Sequence, residues 1–504
     1  MKIKYIIGVD IGTTSVKSVA FDLNGKELSK KEITFPILNY HPSWSEQDPN
    51  TIFKAIIKSI KETVVQGKEN GELLAVSFSS AMHSVIAVDA DGKNLTNSII
   101  WADTRSYRYA QDLKGTKIGH RIYMKTGTPI HPMSPLFKLM WMRDNMPEIF
   151  KKAKKYLSIK EFVFNKLFDR YVIDHSMASA TGLFDIYNFD WYVESLKVAG
   201  ITSEQLSSPV DTTYILKGLS EKYAKYMDID VELPFVIGAT DGCLANLGSG
   251  VMNSKTLAVT IGTSGAVRTT SREPLKDQKE RIFNYILTKN FYVTGGSVNN
   301  GGIILKWFRD NFSKSYTYSM MMDEISKIPA GSDSLIFLPY LLGERAPHWN
   351  AKSKGVFFGV GINHGKAHFM RSVIEGITYG LYDVGNSLEE KIGKMETIHA
   401  SGGFARSVLW LQILADVFDK KVVTYQSTEG SAFGAFILGM KALGLLEDFK
   451  SAEKLLSISI EFIPDMQNHE IHMRNFRIYR KLYEDLKDDF DVLETFTHPS
   501  TFEI

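Results

Sequence analysis

Hydrophobic and polar positions alternate between two periods along the chain. An apolar run at residues 6–9 ends on a single carboxylate, Asp10, and a second β-rich run covers 16–21. Between them lies a small polar turn, Gly12-Thr13-Thr14-Ser15, and after them Asp22-Leu23-Asn24-Gly25 has hairpin chemistry. The pattern predicts strand, tight turn, strand. It recurs at 257–268, where Gly262-Thr263-Ser264-Gly265 separates two apolar runs and Thr260 stands in the place of Asp10. Further strands are expected at 26–35, 73–80, 85–88, 98–101, 291–296, 334–338 and 397–401. Ile52, Phe53, Ile56, Ile57, Ile60 and Val64 recur at helical spacing. Helices are also expected over 136–145, 151–167, 299–310, 366–388, 406–418, 427–443 and 469–490. The stretch 234–250 reads as a strand, the turn Ala239-Thr240-Asp241-Gly242, and the start of a small-residue helix. Strands alternating with helices predict an α/β architecture with mixed sheets. Two copies of one hairpin, half a chain apart, predict a duplicated domain, with the boundary in the Gly- and Asn-rich stretch 246–253 and domains at 1–246 and 247–504.

Composition narrows the class without choosing within it. The 504 residues are enough for two to four domains, and 44% hydrophobic with 23% charged content is ordinary for a globular protein. A formal net charge of +2 supplies no strong field for nucleic acid or an anionic membrane. The single cysteine, Cys243, excludes an intrachain disulfide and fits a reducing compartment, and it is read as a small buried apolar side chain. No apolar run has membrane-spanning length, and the first apolar run is too short for a signal peptide, so a cytoplasmic enzyme is expected. Zinc-type Cys/His spacing, a GxSxG elbow and the Walker spacing are absent from the sequence.

The candidate chemistry sits at predicted strand ends. Asp10 can hold a metal, directly or through water. Backbone N–H groups and hydroxyls of Gly12, Thr13, Thr14 and Ser15 can meet phosphate oxygens, and Lys17 can add positive charge. Asp241 reads either as a general base taking the proton of an attacking alcohol or as the N-cap of the helix after it. Gly402-Gly403 allows close approach of a flat ligand, or merely of a helix to a strand. Met82, His83, Asp103 and Arg105 follow strand ends, where ligand-facing residues collect. Trp101 can pack on a sugar face or in the core, and Trp44 lies in a Pro-bounded loop. For Arg105 two readings stand: its planar fork grips a substrate carboxylate, or it pairs with Asp103 and both are structural.

Two longer stretches carry a resemblance. Residues 133–145 (MSPLFKLMWMRDN) and the pair 355–360 (GVFFGV) and 368–375 (HFMRSVIE) are similar to the two characteristic patterns of the FGGY carbohydrate kinases, and the resemblance runs from about residue 5 to at least 444. It implies a pair of actin-like (RNase H-like) domains with a deep interdomain cleft, sugar mainly on the first and Mg-ATP on the second. It implies Asp241 as catalytic base and Asp10 near Mg²⁺. Gly12, Thr13, Thr14, Ser15, Lys17, Gly262 and Thr263 would handle phosphate, Gly302, Gly402, Gly403 and Ser407 the adenosine side, and Met82, His83, Trp101, Asp103 and Arg105 the sugar. Met82-His83 stands where glycerol kinases carry Arg-Glu. Ala81 and Ser84 depart from the Gln and Gly usual in xylulose kinases. The runs 80–84, 101–105 and 127–135, above all His131-Pro132-Met133-Ser134-Pro135, are most similar to the family's gluconate kinases. The expectation is ATP-dependent phosphorylation of the terminal hydroxyl of D-gluconate to 6-phosphogluconate. The alternatives are a kinase for xylulose or another ketose or polyol, and a non-catalytic actin-like switch. The partners expected are a small sugar acid, with no nucleic acid and no membrane; a homodimer is compatible with the sequence.

Overall fold

The computed structural model describes residues 3–68, 71–425 and 430–497. The chain opens with β1 (Ile3–Ile11), β2 (Ser15–Asp22) and β3 (Glu27–Thr34), an antiparallel meander joined by the predicted turns. β3 is the sheet edge and carries Glu27, Lys30, Lys31 and Glu32, charges that discourage pairing with another chain. Helix α1 (Pro49–Lys68) lays Ile52, Phe53, Ile56, Ile60 and Val64 onto this sheet. β4 (Gly71–Ser80) then runs parallel to β1. Helices α2 (Pro135–Asn145) and α3 (Ile159–Phe168) precede β5 (Phe235–Thr240), which is parallel to β4 and leads into helix α4 (Asp241–Gly248).

The hairpin recurs as β6 (Thr256–Ile261) and β7 (Gly265–Ser271). Helices α5 (Gly302–Phe312), α6 (Tyr318–Ser326) and α7 (Lys366–Ile392) follow, then β8 (Thr397–Ser401), parallel to β6. Helix α8 (Val408–Phe418) leads to β9 (Lys421–Tyr425), parallel to β8. After helix α9 (Gly430–Ala442), β10 (Ile458–Phe462) pairs antiparallel with β9, and α10 (Met466–Thr497) closes the described chain. The two hairpins share one plan, with a first turn one residue longer than the second: Ile11 pairs with Val16, and Ile261 with Gly265. Gly12 N donates to Ser15 O and Gly262 N to Ser264 O, each at 2.9 Å. In the parallel pairs, Asp10 stands beside Ser79 and Thr260 beside Ser401.

The chain forms two compact units, and they interleave in sequence. One holds Met1–Met252, Thr270–Thr294 and Glu429–Leu456; the other holds Asn253–Thr269, Gly295–Thr428 and Ser457–Ile504. This differs from a single cut after residue 246. The reason is packing: α9, built of small residues, lies on β1, β4 and α4, and a Cβ on Gly8 or Gly434 would collide with the facing backbone of Ala432 or Leu244. Its Phe433 and Phe436 close on Phe21.

One expected helix is broken. Residues 151–167 divide into the end of a helix, Pro147–Lys152, a strand, Lys155–Leu157, and α3. Ser158 caps α3 in a reciprocal box with Glu161, which fixes the restart. The stretch 151–167 is basic on one face, which by its pattern reads as a solvated surface, yet Lys160 is 1% exposed. The strand expected over 98–101 stops at Ile99, leaving Trp101 in a turn. Arg406 falls in a 3₁₀ turn ahead of α8. Of the expected helix 427–443, residues 427–429 lie outside the described residues.

Candidate active site

In the first unit the polar turn is tied to the strand ends beside it. Asp10 accepts from Ser79 Oγ at 2.8 Å and has Lys17 as its cross-strand neighbour. Thr13 is held twice: Trp101 Nε1 donates to its Oγ1 at 3.0 Å and Gln47 Nε2 donates to its carbonyl. Gly12, Thr13, Gln47, Met82 and Trp101 line one small depression, so the turn and part of the expected sugar side meet. Ser15 begins β2 and faces β3. Its hydroxyl donates to Glu32 of β3 at 2.7 Å. Thr14 is exposed, and its carbonyl accepts from Phe35 N at 3.0 Å.

Asp241 is not the helix cap. Thr240 is, with Oγ1 accepting from Cys243 N, and Asp241 is the first residue of α4. There its carboxylate, half-buried, accepts from Gly242 N at 2.7 Å. A carboxylate in the first turn is favoured by the unpaired N–H groups and the helix dipole. Cys243 is fully buried, as its apolar reading required.

His83 follows β4 with φ of +69°, a conformation costly for a residue with a Cβ. Its Nδ1 lies 2.8 Å from Ala180 O; a carbonyl only accepts, so Nδ1 carries the hydrogen. Nε2 then faces the Tyr285 hydroxyl at 3.4 Å. Tyr285 lies in the re-entrant segment, and no local pattern announces it. Lys138 is fully buried on α2 and donates to the carbonyls of His83 and Ile100, which fixes both strand ends. Burial lowers its pKa to about 7, against the pull of Asp103.

Arg105 takes the second of its two readings. Its Nε and Nη2 donate to Asp103 and its Nη2 to Glu46 Oε1 at 2.6 Å. Its guanidinium lies 3.9 Å from the Trp44 ring centre and 5.0 Å from that of Trp141. With 2% of the Arg105 side chain exposed, and none of that of Asp103, the fork is spent inside the protein. The sequence could show Asp103 nearby; it could not show Glu46 or the two indoles.

In the second unit Gly262, Gly302, Gly403 and Ser407 border a cavity of about 1040 Å³, which Tyr318 and Phe404 help to wall. That size accommodates a nucleoside. A Cβ on Gly262 or Gly403 would meet nothing within 4 Å, so both leave the backbone open. Gly302 N donates to Gly262 O at 2.8 Å, joining α5 to the turn. Gly402 has φ of +101°, and a Cβ there would strike Ile261 O; its need for glycine is internal. Ser407 caps α8 by accepting from Trp410 N at 3.2 Å. Thr263 is exposed, with its carbonyl accepting from Ile303 N at 3.2 Å.

Among the described residues no group of three or more His, Cys, Asp or Glu side chains is arranged to hold a metal. Asp10 is a single strand-end carboxylate beside a hydroxyl. That suits Mg²⁺, which keeps waters and substrate phosphates as its other ligands. Among the described residues no helix is long and apolar enough to cross a membrane.

Known proteins match along both halves. The N-terminal domain of the FGGY family of carbohydrate kinases matches residues 5–248 and its C-terminal domain residues 257–443. A gluconokinase of Bacillus subtilis (strain 168) is 45% identical over 471 residues, 91% of this chain and 92% of that protein. Two solved structures from Lactobacillus acidophilus, a gluconate kinase and a ligand-bound xylulose kinase, each superpose with a TM-score of 0.94 at 35% identity, covering 97% of this chain and 100% of theirs. Asp10 and Asp241 at the ends of neighbouring parallel ladders, a repeated glycine turn and these matches place the chain in a single group: it belongs to the FGGY family of carbohydrate kinases.

Proposed function

We propose that the protein transfers the γ-phosphoryl group of ATP to the terminal hydroxyl of D-gluconate, giving 6-phosphogluconate and ADP. The observation that carries this reading is the 45% identity to a gluconokinase over nine-tenths of the chain. It agrees with the His131-Pro132-Met133-Ser134-Pro135 run. Asp241 accepts the proton of the sixth hydroxyl as that oxygen forms its bond to phosphorus and the bond to the β,γ-bridging oxygen breaks. General-base help of this kind is worth about 10²–10⁴-fold. The rest is positioning and charge stabilisation. The first unit, with Met82, His83 and Trp101, takes the acceptor, and the cavity in the second takes the adenosine. The hairpin turns and Lys17 meet phosphate oxygens. Asp10 would hold Mg²⁺, which when bound neutralises charge on the phosphates. Arg105 and Asp103 act by holding Trp101 and its loop in place. The reading puts the enzyme in the cytoplasm, where ATP is supplied.

The test is ADP release with gluconate, xylulose, glycerol, ribulose and fuculose as separate acceptors. Gluconate is expected to exceed every neutral acceptor in kcat/KM by at least about 100-fold. Xylulose equal to or above gluconate would overturn the substrate assignment. ADP release with none of the five would overturn the assignment and favour the non-catalytic switch.

A further inference from the structure

A buried ion pair lies behind the strand end that leads to Asp241. Lys160 and Asp174 are both buried, at 1% and 0% exposure, and their Nζ and Oδ2 are 2.7 Å apart. Burying such a pair is a poor way to gain stability, since apolar residues of similar volume generally do as well or better. Its contacts point elsewhere. Lys160 Nζ also donates to Ala239 O at 3.1 Å, two residues before Asp241. Asp174 Oδ1 accepts from Met177 N at 2.9 Å and so caps the helix turn His175–Ser179. That turn presents Ser176, whose Oγ accepts from Thr240 N at 3.1 Å and lies 3.1 Å from Thr240 Oγ1. Thr240 in turn caps α4.

The strand needs this help. The β5–β4 ladder shifts register between Val236 and Ala239, and Gly238, at φ of +76°, leaves the regular strand conformation there. Ile237 N and Gly238 N turn away to Tyr214 O and Thr212 O. The last two residues before Asp241 are therefore held by a short resumed ladder and by the buried cluster together. We propose that the Lys160–Asp174 pair, acting through Ala239 and through Ser176–Thr240, is a positioning device for Asp241. It sets where the base carboxylate points, and it contributes to kcat and not to acceptor binding. The proposal rests on the reading of Asp241 as the base.

The test replaces both charges at once, Lys160→Met with Asp174→Leu, so that neither is left buried alone. The expected result is a loss of about 10–100-fold in kcat, with the gluconate KM within about threefold and the melting temperature within a few degrees of the parent. Ser176→Ala, which removes one acceptor without touching a charge, should lose kcat several-fold with the same unchanged KM. It decides the matter if the double variant does not fold. A kcat within about twofold of the parent in a folded double variant, or in Ser176→Ala when the double variant fails to fold, would overturn the proposal, as would equal losses through KM. Asp241→Asn is measured alongside. If that variant keeps its turnover, the base assignment itself is wrong; if it is inactive while the double variant is not, only the positioning role falls.

Discussion

Replacing Arg105 by alanine separates a residue that reads substrate from one that holds the fold. In the structure the substitution removes the partner of two carboxylates, Asp103 with its side chain fully buried and Glu46 with 11% of its side chain exposed. Breaking a buried pair by deleting one partner costs about 3–5 kcal/mol, because the remaining charge is left without compensation. Loss of the guanidinium between Trp44 and Trp141 adds roughly 1–2 kcal/mol, as the stack is desolvated. A total near 5 kcal/mol corresponds to a fall of about 10–15 °C in the melting temperature for a unit of this size. Scanning calorimetry measures that fall directly. Arg105→Met with Asp103→Asn removes the more deeply buried orphaned carboxylate and should recover about half of it.

Kinetics supply the other arm. Asp103 accepts from Ser45 N at 2.7 Å and Arg105 holds Glu46, so the clamp fixes the loop that carries Gln47 and, beside it, Trp101. Both of those side chains hold Thr13. Loosening the clamp should therefore lower kcat/KM for gluconate and for any neutral acceptor in parallel. A melting temperature within about 2 °C of the parent, with a gluconate-selective rise in KM of more than about tenfold, would refute the clamp and restore Arg105 as the reader of the substrate carboxylate.

Asp241→Asn should lose about 10²–10⁴-fold in kcat while ATP binding, followed by calorimetry, stays within about threefold; turnover within about tenfold of the parent would remove Asp241 from the chemistry. Asp10→Ala should weaken Mg-ATP binding and use, and raised magnesium should recover part of both; a defect indifferent to magnesium counts against the metal role. Glu161 is pushed by burial from an ordinary 4.5 up to about 7. Between those values the folded protein keeps a proton that the unfolded chain has released, so its contribution is intact below pH 4.5 and is lost as pH rises to about 7, in all about 3 kcal/mol. Glu161→Gln keeps the cap on Ser158, and its stability relative to the parent in urea unfolding should rise by about that amount from pH 4.5 to 8; a difference independent of pH would show that Glu161 is ionised throughout.

What the sequence discloses follows from where each determinant lies. β1, β4, β6 and β8 are legible because a run of apolar residues at one place is both the cause of burial and its record. β8 begins and ends at the residues its pattern predicts. Residues 151–167 mislead for the opposite reason. Lys160 looks like a solvated face because its partner, Asp174, is supplied by a later element and leaves no mark on the helical period. The re-entrant segments 270–294 and 430–456 are likewise invisible locally, since what makes them part of the first unit is a fit to surfaces far away in sequence. At the site, Asp241 was one residue from being its own explanation as a cap. Only the geometry gives that task to Thr240. Gln47 and Tyr285 are not legible, because a polar side chain in a short strand and a tyrosine in a β-run carry no signature of what they touch.

One of the differences between the duplicated hairpins falls at equivalent ladder positions. The ladders place Asp10 and Thr260 at equivalent positions, each against a serine of the next parallel strand. In one copy the serine donates to a carboxylate at 2.8 Å; in the other two hydroxyls share a hydrogen bond of 2.9 Å. The parallel pairing is therefore shared between the copies while the charge at this position is not. Two unit charges of like sign 4 Å apart repel by about 1 kcal/mol in water and about 4 kcal/mol in a surface-like dielectric. A turn that takes an anionic phosphate chain against its own N–H groups gains nothing from a carboxylate beside it. A turn that takes the same anion through a cation does need one. Thr260 with Ser401 offers neutral polarity around Gly262, whose backbone is open to approach. In the proposed reading Asp10, beside Ser79, would hold the metal, and Lys17 would face the phosphates. On that reading, the difference between Asp10 and Thr260 would make one turn a metal anchor and leave the other a phosphate cradle.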